Sequence, residues 1–361
     1  MCTGDDIIQP TIFHSTNSSD GMIVDMVKQL SSPSPQSQQQ LQKVTFQNLN
    51  DNDNKGEQTV VVMVVLPPWA IGSSLQVFFK QLAQQTHPHT RLALLLLNPP
   101  SPTTLYTVRY YLTSSRIHMP VDVYTKTYDS MTPWIAQDNH HDSSRNAIYE
   151  LEPLRKSAMA RAKNFLLQSA LDPLDNYVLW LDPLLDQFPT TLITDFIDLC
   201  EQDNSKSDHG VDILVPNTMI RKDGQEWGYD RSNWQETTMS RSLQDTVPND
   251  FVFMEGWWEY DTHRFLMVDM LTNGPEDQKK MDFTKVPLDG VGSTCLFVKA
   301  EVHRSGLNFP AYPYQHQLDS EAFAKAAQVE GYIIRGLPNY KIYHSNDDDD
   351  TSVTDDNDDE I

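Results

Sequence analysis

Residues 177–189 read YVLWLDPLLDQFP. The first five are apolar without alternation, the pattern of a strand buried on both faces, as in a sheet covered by helices on either side. The run stops at Asp182 and Pro183, so the strand delivers a carboxylate to its C-terminal end, and a second acid, Asp186, follows four residues later. Ligands of open α/β sheets bind outside the C-terminal ends of the strands. Two carboxylates separated by one residue at such an end can turn together toward a divalent cation and a diphosphate. Here, however, the position two after Asp182 is Leu184. The acid therefore reads either as a structural strand end or as part of a metal site with one ligand changed.

The pattern extends outward from this strand. Upstream, residues 153–171 (PLRKSAMARAKNFLLQSAL) space Leu154, Ala158, Ala162, Phe165, Leu166 and Ala170 as one apolar helical face. Lys156 and Lys163 lie seven apart and share a face, while Arg161 points elsewhere. Downstream, TTLITDFIDLC reads as a helix and VDILVPN (211–217) as the next strand, with Asn217 at the same sheet edge as Asp182. Toward the N-terminus, VVVMVVL (60–66) and LALLLL (92–97) are buried strands and VDVYTK a third. Between the first two, SSLQVFFKQLAQQ places Leu75, Phe78, Phe79 and Leu82 on one side of a helix. Strand–helix alternation with strands apolar throughout specifies an α/β fold with a parallel sheet flanked by helices.

The ends differ in composition. Residues 1–58, rich in Gln, Ser, Asn and Asp, read as a disordered polar linker or stalk, residues 59–345 as one domain, and 346–361 as a disordered acidic tail. The formal charge is −23, and removing the nine acids of the tail still leaves about −14. That balance argues against nucleic acid or anionic lipid as the main partner, because phosphate backbones are bound by clustered Lys and Arg. Three cysteines, Cys2, Cys200 and Cys295, form no disulfide framework and have no zinc spacing. No signal pattern and no apolar run of membrane-spanning length is visible.

The second half combines aromatics, glycine and acids in loop-like context: YDRSNWQE (229–236), EGWWEY (255–260), VPLDGVGSTCLFVKAEVHR (286–304) and GLPNYKIYH (336–344). Such aromatics either face a sugar ring or pack the interior. Asp289 sits in a Gly-rich turn where backbone can approach a ligand or simply turn tightly. His344 ends a possible strand, where its ring is either structural or completes a metal shell of the kind Mn²⁺ accepts.

The ordered series MARAKNFLLQSAL, YVLWLDP, FPTTLI, VPN, YDRSNWQE, EGWWE, LDGVGSTCLFVKAEVHRSGLNFP, SEAFAK and GLPNYKIYH resembles the fungal Golgi mannan-polymerase mannosyltransferases, glycosyltransferase family 62. The resemblance covers residues 150–345 well and 59–150 loosely. It implies a GT-A-like (nucleotide-diphospho-sugar transferase) fold, a GDP-mannose donor, Mn²⁺ and extension of an α-linked mannose chain with retention of configuration. By position it implies that Arg161 and Lys163 face the donor phosphates and that Asp182 is the first acid of the metal-site motif. It likewise makes Asp289 and Glu321 the carboxylates near the reaction centre, His344 a metal ligand, and Trp234, Gln235 and Glu236 the acceptor side. Partners implied are a mannose-containing glycan and other mannosyltransferase subunits in the Golgi.

Departures from the family pattern fall mostly in the donor half. Leu184 stands where the second acid belongs, Asn98 and two prolines replace a polar acidic segment, and the first-strand loop reads LPPWAIG. The membrane anchor usual in the family is not visible either. The expectation is thus an active enzyme with a rearranged metal site or, alternatively, a catalytically inactive homologue that scaffolds a complex or presents acceptor.

Overall fold

The computed structural model describes residues 43–46, 58–67, 73–98, 102–128, 145–201, 210–255, 261–270 and 283–345. Their elements, in chain order, begin with β1 (Lys43–Phe46), β2 (Val60–Leu66), α1 (Ser73–Leu82), β3 (Thr90–Leu97), α2 (Pro102–Ser114) and β4 (Val121–Lys126). Then come α3 (Arg145–Ala170), β5 (Tyr177–Leu181), β6 (Leu185–Gln187), α4 (Leu192–Glu201), β7 (Ile213–Lys222) and β8 (Gln225–Gly228). The C-terminal part holds β9 (Trp234–Gln235), α5 (Thr238–Gln244), β10 (Phe265–Leu266), β11 (Val286–Pro287), β12 (Cys295–Lys299), α6 (Ala300–Arg304), α7 (Asp319–Val329) and β13 (Ile334–His344).

The main sheet runs β1-β4-β3-β2-β5-β12-β7-β13-β11, with β6 on β13 and β8 on β7. Strands β4, β3, β2 and β5 are parallel, β12 runs antiparallel to both its neighbours, and β7 and β13 are parallel to each other. All seven side chains of β2 are buried, and they alternate between two cores. Val60, Val62, Val64 and Leu66 pack with α1, α2 and α4 on one face; Val61, Met63 and Val65 pack with α3, α6 and α7 on the other. This three-layer α/β arrangement is what the unalternating strands specify. No helix among the described residues is long and apolar enough to cross a membrane. Cys200 and Cys295 are buried free thiols.

Four expectations are corrected. Lys43–Phe46, inside the stretch read as linker, pairs antiparallel with β4 at the sheet edge. Residues 1–42, 47–57 and 346–361 lie outside the described residues. The segment CLFVK, read as loop-like from its glycine-rich surroundings, is the central antiparallel strand β12, because its own four apolar side chains are buried between β5 and β7. Helix α3 begins at Arg145, with Pro153 inside it. An interior proline costs about 3 kcal/mol in helix energetics, offset here by anchors just beyond it: Lys156 bonds Glu321 and Ser157 bonds the Ala311 carbonyl. Finally, Leu154 is half exposed rather than part of the apolar face.

Candidate active site

The C-terminal end of β5 opens onto a cleft of about 380 Å³ lined by Lys156, Lys163, Asp182, Tyr229, Asp230, Arg231, Glu255, Ser293, Thr294, Asp319 and Ser320, among others. Asp182 is fixed by its own backbone. Its N–H donates to the Thr294 carbonyl (2.8 Å) and its carbonyl accepts from Leu185 N–H (3.2 Å). The Leu184 N–H donates to Asp182 Oδ1 at 2.8 Å. Leu184 contributes a second backbone bond, because its carbonyl accepts from Ser345 N–H at 2.8 Å. With Leu185 in register with His344, the Asp-Pro-Leu-Leu turn thereby draws the end of β13 to the end of β5.

His344 is buried (3% exposed) and stacks on Tyr229, ring centroids 3.9 Å apart. Its Nδ1 lies 2.9 Å from the Ser345 carbonyl. A carbonyl only accepts, so Nδ1 carries a proton. Nε2, 3.6 Å from Asp182 Oδ1, then presents either a second N–H or a lone pair, and a lone pair facing a carboxylate calls for a cation between them. Burial acts to raise the Asp182 pKa, but the hydrogen bond and charge of His344, the Leu184 N–H and the charge of Lys163 outweigh it, and the net direction is downward.

The two lysines of α3 both enter the site. Lys163 Nζ donates to Asp319 Oδ2 and Ser293 Oγ, each at 2.6 Å. Lys156 Nζ donates to Glu321 Oε2 at 2.5 Å. Burial acts against the Lys156 charge, yet Glu321 and Glu152 raise its pKa overall. Arg161 is exposed and not among the residues lining the cleft. It follows Lys156 by five residues, which on a helix of 3.6 residues per turn points it away. Asp186, on β6, does not line the cleft either.

The remaining sequence candidates form a packed hub behind the cleft wall. Trp234 is fully buried; Arg264 lies 3.6 Å from its ring centroid and Lys325 5.0 Å. Its Nε1 donates to Glu321 Oε1 at 2.9 Å. Glu236 accepts from Lys325 (2.9 Å), Gln244 (2.7 Å), Arg264 (3.3 Å) and Ser240. Asp289 Oδ2 accepts from the Glu236 N–H at 2.7 Å and its Oδ1 from Gln328 at 3.0 Å. Gln235 donates to the Pro287 carbonyl at 2.6 Å. None of Trp234, Gln235, Glu236, Asp289 and Glu321 lines the cleft. The two glycines of LDGVG serve this packing: a Cβ on Gly290 would stand 2.2 Å from Trp234 Cε2, and one on Gly292 1.9 Å from Asp230 Oδ2. Gly290→Ala is accordingly expected to lower stability by about 1–3 kcal/mol through overpacking, read as a lower melting temperature.

Sequence reasoning passed over Asp230, Glu255 and Asp319, which do line the cleft. Burial raises the pKa of Asp230, and the charge of Glu321 adds to it, against opposing bonds from Thr294 and Ser232. Burial likewise raises Glu255, despite the opposing charge of Arg264. The available signal was local, since each stands in a quoted segment (YDRSNWQE, EGWWEY) or two residues before Glu321.

Divalent-metal bonds of about 2.1 Å separate two ligands of one ion by about 3.0–4.2 Å between right-angle and opposite positions. The 3.6 Å spacing of Asp182 and His344 fits that range. Among the described residues no group of three or more His, Cys, Asp or Glu side chains converges as a metal site. The fit is thus to the Asp182–His344 pair alone among the described residues.

Solved structures aligned with the chain include the mannosyltransferase PcManGT from Pyrobaculum calidifontis in complex with GDP-Man and Mn²⁺ (10% identity, TM-score 0.42, 80% of this chain and 57% of that one). Another is GalNAc-T7 with UDP, GalNAc and Mn²⁺ (11% identity, TM-score 0.43, 81% and 44%). Among curated relatives, the mannan polymerase complex subunit mnn9 of Schizosaccharomyces pombe is 35% identical over 193 residues, 54% of this chain and 53% of the relative. The MNN9 subunit of Candida albicans is 33% identical over 225 residues (61% and 55%). The mannan polymerase II complex ANP1 subunit of Saccharomyces cerevisiae is 27% identical over 314 residues (83% and 58%). The chain spans about half the length of the curated relatives it matches. Residues 40–313 match the Anp1 family, and the chain belongs to that family.

Proposed function

We propose that this chain is a retaining α-mannosyltransferase of the mannan-polymerase type, transferring mannose from GDP-mannose to an α-mannoside chain of N-glycans within a Golgi complex of related subunits. Family membership and the relatives' names as mannan polymerase subunits support the reading. The observation that carries it is the pairing of Asp182 with His344 Nε2, 3.6 Å apart at the end of β5. With Nδ1 protonated toward the Ser345 carbonyl, the neutral ring turns the Nε2 lone pair to Asp182, and in that state the pair suits a cation bound between carboxylate and imidazole. A divalent cation such as Mn²⁺ held there would neutralise the departing diphosphate. Lys163 adds positive charge on the cleft wall, and Arg231 stands exposed among the lining residues. Glu321 and the Trp234–Glu236 hub act by positioning, since Glu321 holds Lys156 against the cleft.

The second reading, a non-catalytic subunit that scaffolds the complex or presents acceptor, is favoured by Leu184 in the second-acid position and by the lack, among the described residues, of a group of three metal-ligating side chains. Calorimetry of GDP with and without Mn²⁺ separates the two, using the full chain and Leu184→Asp. Mn²⁺-dependent GDP binding by the native chain is the expected result. Binding that emerges only in Leu184→Asp favours the non-catalytic subunit. If neither protein binds GDP, the mannosyltransferase reading falls.

A further inference from the structure

Helix α7 begins at Asp319 with a φ of 53°, in the left-handed region, and Gln315 (46°) and His316 (63°) just before it share that region. Non-glycine residues adopt this region at an energetic cost, and such strain concentrates at ligand sites. Surrounding bonds hold it: Asp319 N–H to the Pro310 carbonyl (2.9 Å), Phe253 N–H to the His316 carbonyl (3.0 Å), and His316 Nδ1 to the Phe251 carbonyl (3.0 Å).

Asp319, at the end of this strained segment, is among the residues that line the cleft. The residue is 7% exposed. Oδ2 is held by Lys163, while Oδ1 is buried and accepts no hydrogen bond from the described residues. A buried acceptor left unmade is costly, more so on a charged group. The ligand class follows from the surroundings. Oδ1 can only accept, so the missing partner is a donor. An anion such as phosphate is repelled by the carboxylate, and a metal cation by the Lys163 ammonium 2.6 Å from Oδ2. A neutral hydroxyl donor meets neither repulsion, and the hydroxyls of Ser293, Thr294 and Ser320 line the same cleft, as suits a polyhydroxylated ring.

We infer that Asp319 Oδ1 accepts a hydrogen bond from a pyranose hydroxyl bound in the cleft, making Asp319 a sugar-positioning residue; this rests on the glycosyltransferase reading above. The hydroxyl belongs to the donor's mannose or to the acceptor's, and the test separates them.

Calorimetry on the full chain, with Mn²⁺ present, would compare GDP, GDP-mannose, and α-mannobiose added to GDP-saturated protein. Asp319→Asn keeps size and tolerance of the left-handed backbone but can satisfy Lys163 only by turning an NH₂ to the cleft. Asp319→Gly relieves the φ strain altogether and serves if the asparagine variant does not fold. The expected result is GDP affinity within about twofold of native, with a loss of about 10- to 100-fold, as for a charge-assisted hydrogen bond. That loss falls on GDP-mannose if the donor sugar is held, and on mannobiose if the acceptor is. Equal loss of GDP affinity would mean that Asp319 acts only through Lys163, overturning the inference. Unchanged affinity for both sugar ligands would overturn it too, while leaving the glycosyltransferase reading intact. A native chain that binds none of the three ligands would instead defeat that reading, and the inference with it.

Discussion

Glu236→Ala is expected to destabilise the fold by about 3–5 kcal/mol, the range seen when one partner of a buried ion pair is removed. The resemblance puts Glu236 on the acceptor side, which would make its loss a binding defect with the fold intact. The geometry argues otherwise. Only 2% of the Glu236 side chain is exposed, and its carboxylate accepts from Arg264, Lys325, Gln244 and Ser240. Burial acts to raise its pKa, yet Arg264 and Lys325 bring it down to about 2. With Glu236 gone, Arg264 keeps Glu255 at 2.8 Å, but Lys325, 9% exposed in its side chain, loses the carboxylate that neutralises it. Both cations also flank Trp234, so their displacement would loosen the indole that reaches Glu321 and, through it, Lys156 at the cleft. Urea titration measures the effect directly. An unshifted midpoint accompanied by weaker acceptor binding would return Glu236 to the acceptor side.

The same hub shows what a sequence can and cannot disclose. Strands β2, β3 and β5 were legible because burial on both faces leaves only apolar residues in them, and α1 because Leu75, Phe78, Phe79 and Leu82 all point one way and are all buried. Asp182 was legible as a strand end, and so was the shared face of Lys156 and Lys163, by helical spacing. The direction of a loop carboxylate was not. Asp289 and Glu321 have the residue types of reacting groups, yet their oxygens are taken by the Glu236 amide and Gln328, and by Trp234 and Lys156. Those partners lie tens of residues or more away in the chain, so no local pattern announces them. Asp230 and Asp319 were missed for the converse reason, since nothing in YDRSNW or LDSEAF distinguishes an acid that faces a cleft from one that faces solvent. Leu184 was read as a lost ligand from its side chain, whereas its backbone joins Asp182 to the strand end carrying His344.

Acid is expected to weaken the fold through His303, with stability falling by about 3 kcal/mol as pH drops from 6.5 to 4. His303 lies on α6, 5% exposed, with Nδ1 2.9 Å from the Leu307 carbonyl and stacked against Phe323. A carbonyl accepts only, so Nδ1 carries the proton and Nε2 offers its lone pair to the Trp180 N–H, 3.4 Å away. A second proton on Nε2 would set two donors against each other inside the apolar core. Burial accordingly lowers the His303 pKa to about 4, although the Leu307 carbonyl favours the charged form. The ordinary value near 6.5 applies to the unfolded chain, so between pH 6.5 and 4 the unfolded state binds the proton and the folded state does not. The contribution is therefore complete above pH 6.5 and lost on the way down to 4. Other groups titrate nearby: Asp230 and Glu255 are shifted upward, which acts in the opposite sense, and Glu236 loses its contribution only as pH falls from about 4.5 to 2. The measurement is thus a difference, the unfolding free energy of the native chain minus that of His303→Phe at each pH. That difference should be flat above pH 6.5 and fall below it by about one proton's linkage, about 1.4 kcal/mol per pH unit. A difference flat down to pH 4 would mean that the buried ring titrates as it does in water, contrary to the core packing around Trp180 and Phe323.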